Sequence, residues 1–280
     1  MKLLPRTAIF TCIFVFAWVG SAIGTLNLTA EPEQLLSNMH RQRLRFILPP
    51  LPDRDIEFFS GDGRPGQRKG AGSRDDCPFK PADQYLTALV PLSQAIDLSD
   101  EKAPFVLGLT SAERPVFWFY IPYDASPPRE VRFVLRNTHG NTLYQNNWQF
   151  ARIPGIVSIQ LPDDVKLEIG QRYRWLFVFT CDPKNPSSDD VVKGWVKRVA
   201  LSSKLSRELD AARTVRERIF LYAANGLWHD ALNKLAEHRN DPHYDSFVAD
   251  WSSVLQSIGL ETIGSELFVI HNNSRYLHSP

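Results

Sequence analysis

From Tyr173 to Cys181 every odd position carries a ring or a sulfur: Tyr173, Trp175, Phe177, Phe179 and Cys181. Successive side chains of an extended chain point to opposite faces, so this window puts all five on one face of a strand. A strand with that much apolar area on one side needs a second layer to cover it. This requirement constrains the fold more than any other feature of the chain.

The neighbouring segments supply such a layer. Strand signals lie at 84–91, 115–122, 131–136, 142–150, 156–161, 172–181 and 191–200, in a set of about seven or eight strands. Val116, Phe117, Trp118, Phe119, Tyr120 and Ile121 run without a polar break, which suits a central strand covered on both faces. Val131, Phe133 and Leu135 alternate with Arg132, Val134 and Arg136, and the turn residues 137–141 join that strand to a hairpin partner. No helical period interrupts the series. The expectation is a mainly β fold, an antiparallel β-sandwich of immunoglobulin-like or jelly-roll type, over 77–200.

Beyond 200 the period becomes helical. Leu205, Leu209, Ala212, Val215, Ile219 and Tyr222 form one stripe, which Asn225-Gly226 ends. Trp228, Ala231, Leu232, Leu235 and Ala236 form a second. Asp241-Pro242 reads as N-cap and first position of a third, with Phe247, Trp251, Val254 and Ile258 on its stripe and Gly259 closing it. This predicts a C-terminal helical hairpin of about three helices, 201–263, and a disordered tail, 264–280. Tyr222, Gly226, Trp228, Ala231, Leu232 and Leu235 echo the spacing of one tetratricopeptide unit. A single unit cannot bury its own faces. A hairpin packed on the sandwich is the plain reading. A partner-docking surface through Tyr222, Trp228 and Leu232 is the sharper one.

The N-terminus reads as an export signal, 1–24. Lys2 and Arg6 precede the uncharged run from Ala8 to Val19, and small residues at Ala22 and Gly24 suit cleavage. The run is short for a bilayer span, so membrane contact is expected only through this segment if it is uncleaved. Cleavage removes Cys12 and leaves Cys77 and Cys181, an even pair that predicts a disulfide in an oxidising compartment, the periplasm or outside the cell. Residues 25–76 read as a flexible Pro- and Gly-rich linker with a small basic cluster at Arg41, Arg43 and Arg45. Net charge is +1 and becomes −1 without Lys2 and Arg6. Nucleic acid is therefore a poor partner, because that binding needs clustered Lys and Arg.

No G-x-S-x-G, H-E-x-x-H, P-loop or C-x-x-C motif is present, so neither a catalytic set nor a cofactor is legible. His238, Asp241 and His243 have ligand chemistry but bracket a helix start, and a cap explains Asp241; no metal is expected. Asp163-Asp164 and Asp189-Asp190 read as solvated turn residues. Gly70-Ala71-Gly72-Ser73-Arg74 lacks the strand and helix that would aim amides at phosphate, and lets the chain turn towards Cys77. Glu113-Arg114 opens the most apolar strand, as a structural pair or a ligand clamp. Trp148, flanked by Asn146 and Asn147, is the best candidate for stacking on a sugar ring, against the usual fate of Trp in a core.

The strings 70–77 (GAGSRDDC), 86–91 (LTALVP), 108–123 (GLTSAERPVFWFYIPY), 154–162 (PGIVSIQLP), 169–183 (IGQRYRWLFVFTCDP), 194–199 (GWVKRV) and the region around 222–235 are jointly specific. The chain resembles the cyanobacterial family called domain of unknown function 928. The resemblance implies an exported, envelope-associated bacterial protein and brings no catalytic residues. The expected function is a noncatalytic cell-envelope or extracellular protein-binding module. A glycan-binding sandwich and an envelope-polymer hydrolase are the alternatives.

Overall fold

A computed structural model describes residues 43–49, 66–70, 77, 83–94, 104–124, 128–150 and 153–269. The expected leader lies outside the described residues, as do Arg41 and 270–280 of the tail. The strands are β1 (Thr87–Ala88), β2 (Leu92–Gln94), β3 (Pro104–Thr110), β4 (Val116–Ile121), β5 (Glu130–Asn137), β6 (Thr142–Gln149), β7 (Gly155–Gln160), β8 (Arg172–Phe179) and β9 (Asp190–Arg198). Four helices follow: α1 (Ser203–Ala211), α2 (Val215–Ala224), α3 (Trp228–Glu237) and α4 (Phe247–Gln256).

The fold is mainly β and sandwich-like. A small sheet has the order β1-β4-β7 and a large one β2-β3-β9-β8-β5-β6. Among the described strands every strand-to-strand pairing is antiparallel except that of β3 with β9, which is parallel. A strictly antiparallel sandwich is thereby corrected. β3 was not among the expected strands, because Gly108 and Pro104 weaken its pattern. It enters the large sheet beside the last strand of the chain.

Three layers result, with the small sheet in the middle. Phe117, Phe119 and Ile121 of β4 face Phe133, Trp175 and Phe177 of the large sheet. The Phe119 and Phe177 rings stack with centroids 3.9 Å apart. Val116, Trp118 and Tyr120 face the other way, against Trp228, Leu232, Leu235 and Trp251 of the helices. Every side chain of β4 is buried, as its unbroken apolar run requires. Cys77 is bonded to Cys181 across 104 residues of chain, at one end of the inner core.

The expected first helix is two helices. Thr214 accepts from the Glu217 backbone N–H, and Glu217 reaches back to the Thr214 N–H. This capping box starts α2 and breaks the stripe after Ala211. α4 begins at Phe247 rather than at Pro242. Asp241 instead closes a turn, accepting from the His243 N–H at 2.9 Å.

Two pieces of the expected linker are docked, which corrects a wholly flexible 25–76. Leu44 and Phe46 are buried in the helix-side core while Arg43 and Arg45 are exposed. The Phe46 and Trp228 rings meet edge to face at 4.9 Å. Residues 66–70 pair with β1 and β9 through Lys69 and Gln67. The tail is ordered at least to Val269: Phe268 packs 4.8 Å from Trp251 and its segment pairs with β7.

Candidate functional site

A cleft of about 150 Å³ opens where α3 meets the turn between β3 and β4. Thr110, Ala112 and Arg114 form one wall, Tyr222 of α2 closes an end, and Asn233, Lys234 and Glu237 of α3 form the other wall. His229 and Asp230, in the first turn of α3, lie at its base.

His229 is wedged between the layers, at 2 % exposure. Its Nδ1 lies 3.1 Å from the Val116 carbonyl oxygen, which only accepts, so Nδ1 carries the proton. Nε2 is buried without a hydrogen-bond partner and faces Gly108, where a Cβ would fall 2.4 Å away. Burial holds the imidazole pKa down at about 4, against the opposing bond to Val116. Asp230 accepts from the Ser111 N–H at 3.0 Å and from the Ser111 hydroxyl. Burial raises its carboxyl above the ordinary value, and the Ser111 donors pull against that rise. Tyr222 is raised first by burial and then by the charge of Asp230.

The rim is polar and of mixed charge. Glu237 accepts from Lys234 Nζ at 2.9 Å and from Asn233 Nδ2 at 2.8 Å. The expected clamp residues each pair with the loop before β8. Arg114 bonds Asp163, and Glu113 meets Lys166 at 3.2 Å. Arg114 and Tyr222, singled out separately from the sequence, line the same cleft.

Ser111, His229 and Asp230 sit close together, but their bonds run elsewhere. The serine hydroxyl is held by the carboxylate and the histidine by a backbone carbonyl. A triad needs the imidazole on the hydroxyl. His238 Nδ1 lies 3.2 Å from Asp241 Oδ2, and His243 joins that turn only through its backbone N–H. Among the described residues no three His, Cys, Asp or Glu side chains converge to hold a metal.

The other candidates are mostly core. Trp148 is buried in the inner core, opposite Val131 of β5, and its ring has no face free for a sugar. Trp118, Trp175, Trp195, Trp228 and Trp251 are buried as well, so stacking through an exposed indole is corrected. Asn146 donates to the Tyr144 hydroxyl at 3.4 Å, and its own Oδ1 accepts from the Asn147 N–H at 2.8 Å. Trp228 and Leu232 are fully buried, and the Trp228 Nε1–H donates to the Leu89 carbonyl at 2.7 Å. They build the helix-to-sheet contact and offer no docking surface, leaving Tyr222 as the half-exposed member of that trio.

Asp190 was expected in a solvated turn and is instead buried at 2 % exposure. It accepts from the Tyr123 hydroxyl, and both groups lie against the start of β9. Burial and the carboxylate drive the Tyr123 hydroxyl far above its ordinary pKa. Gly70 touches this carboxylate: a Cβ there would sit 2.2 Å from Asp190 Oδ1. The glycine-rich string thus supplies close approach at its first residue. A side chain 120 residues later sets that need, so local sequence holds no sign of it.

Residues 69–268 match the family described as Domain of Unknown Function (DUF928). The chain belongs to that family. The DUF928 match begins at Lys69, which bridges to β1, and ends at Phe268, which bridges to β7. It therefore takes in both sheets and all four helices, and the cleft lies wholly inside it. No curated protein matches the chain.

Proposed function

We propose that this DUF928 chain is an exported, noncatalytic module of a cyanobacterial cell envelope that holds a protein partner at the cleft beside α3. The observation that carries the reading is the wiring of that cleft. Its polar groups project from α3 and the β3–β4 turn, while beneath them Asp230 is spent on the Ser111 hydroxyl and N–H and His229 on the Val116 carbonyl, so no imidazole meets the hydroxyl. Such a site recognises surface amides and charges without activating a nucleophile. The mixed rim of Arg114, Asn233, Lys234 and Glu237 suits a polar peptide segment better than an apolar ligand. Export is supported by the leader and by the paired cysteines.

The test is affinity capture from the envelope with the wild-type chain, Lys234→Glu and Asn233→Arg. Both substitutions lie on the exposed side of α3, so the melting temperature should hold. The account expects at least one envelope protein captured by the wild type and lost from both variants. An unchanged set of captured proteins contradicts it. Removal of 202–280 is not a clean test, because it strips the cover from Trp118 and Tyr120.

A further inference from the structure

The sheet edges are treated unequally. One edge of the small sheet is capped by 66–70: the Gly70 N–H donates to Leu86 O at 2.7 Å and the Ala88 N–H to Arg68 O at 2.8 Å. The other is capped by 267–269: the Ile156 N–H donates to Leu267 O and the Val269 N–H to Ile156 O, both at 2.7 Å. In the large sheet the β2 edge is three residues long. β6 is the exception. It is eight residues long and, among the described residues, pairs only with β5. Chains protect such edges with charge, proline, bulges or a cover. Thr142–Gln149 contains no charge and no proline, and its one irregularity, a bulge at Leu143, lies beside the hairpin turn and leaves Tyr144–Gln149 regular.

The occupant follows from the composition. Two-fold antiparallel pairing brings a strand against itself, so a charge near the axis meets its own copy. β5 carries Glu130, Arg132 and Arg136, and β9 carries Asp190, Lys193, Lys197 and Arg198. Among the described residues β6 alone joins full length, an unpaired edge and a neutral row. We infer that β6 pairs with β6 of a second copy, joining two large sheets into one continuous sheet.

Face matching fixes the register to an even sum of residue numbers. With Asn146 on the axis, Tyr144 lies opposite Trp148 of the second copy and Gln145 opposite its Asn147. This register answers one feature of the strand. Asn147 Oδ1 is shielded from water with no hydrogen-bond partner, and Gln145 of the second copy brings a side-chain amide beside it.

Sedimentation equilibrium on the full chain tests the inference, with circular dichroism to confirm folding. The wild type is expected at twice the chain mass. Gln145→Lys with Asn147→Lys sets lysine opposite lysine, and the mass should fall to that of one chain. Gln145→Lys with Asn147→Glu sets lysine opposite glutamate, and the doubled mass should return. A wild type at single-chain mass overturns the inference. So does a doubled mass that survives the paired lysines, or a Lys/Glu variant that stays single.

Discussion

Phe117 and Trp118 are neighbours in the chain and belong to different cores. Phe117 enters the space between the sheets, which is lined by rings and aliphatic groups and closed at one end by Cys77–Cys181. Trp118 enters the space under the helices, where polar side chains set the geometry. There the Trp228 indole N–H holds the Leu89 carbonyl and His229 holds that of Val116. Asp250 gathers Arg216 through two bonds of 2.8 and 3.0 Å, with the Tyr244 and Ser246 hydroxyls at 3.0 and 2.9 Å. Apart from the Tyr123–Asp190 bond, the inner core rests on burial, which tolerates hydrophobic exchange of similar volume. The outer core rests on directional bonds between distant residues, which fail when one partner is removed.

Ways to break this contrast begin with the largest expected effect. Removing the disulfide by Cys77→Ala with Cys181→Ala should cost the inner core roughly 4–5 kcal/mol, the loop-closure figure for about 100 residues. Denaturant unfolding reads it, and a loss under 1 kcal/mol would mean the reduced chain is already constrained. Asp250→Ala leaves Arg216 without its carboxylate beneath the helices, where the pair is 14 % and 5 % exposed. A cost of about 3–5 kcal/mol is expected from stranding that charge. Tyr244→Phe, which removes one of four donors to Asp250, should cost about 1 kcal/mol. Equal costs for the two would show that no shared network exists.

His229 gives the outer core an acid sensitivity. Its pKa is near 6.5 unfolded and about 4 folded. Above pH 6.5 both states are neutral and the residue contributes no slope. Below it the unfolded chain takes a proton that the folded one refuses, so stability falls until about pH 4. The loss over that window is about 3 kcal/mol. A His229→Asn variant should flatten that part of the profile; a wild-type profile already flat there would refute the buried neutral ring. Gly108→Ala sets a new methyl against His229 Nε2. Overpacking should cost about 1–3 kcal/mol in the wild type and much less beside His229→Ala. Additive costs would separate the two positions.

Legibility in the sequence divides along the same line. The six apolar residues of β4, the alternating rings of β8, the hairpin at 137–141 and the cysteine pair are local patterns or simple counts, and each corresponds to what the fold contains. β3 was not legible because Gly108 interrupts it, and the reason for Gly108 is an imidazole 121 residues away. The parallel pairing of β3 with β9 has no local signature either. Leu44 and Phe46 look like linker because their burial depends on helices that follow some 180 residues later. The break between α1 and α2 was legible: Thr214 and Glu217 have capping-box spacing, and the continuous apolar stripe masked it. At the cleft, Arg114 and Tyr222 were found as residues but not as neighbours. Ser111 and Asp230 were missed, because a serine in a turn and an aspartate in a first helical turn are both ordinary there.

The proposed function depends on the chain reaching an oxidising compartment and on removal of the expected leader. Peptide mapping of the protein from the cells that make it, without reduction and with free thiols alkylated, measures both at once. The account predicts a linked Cys77–Cys181 peptide and an N-terminus just after Ala22 or Gly24. Alkylated Cys77 and Cys181 on a chain that still begins at Met1 would contradict it.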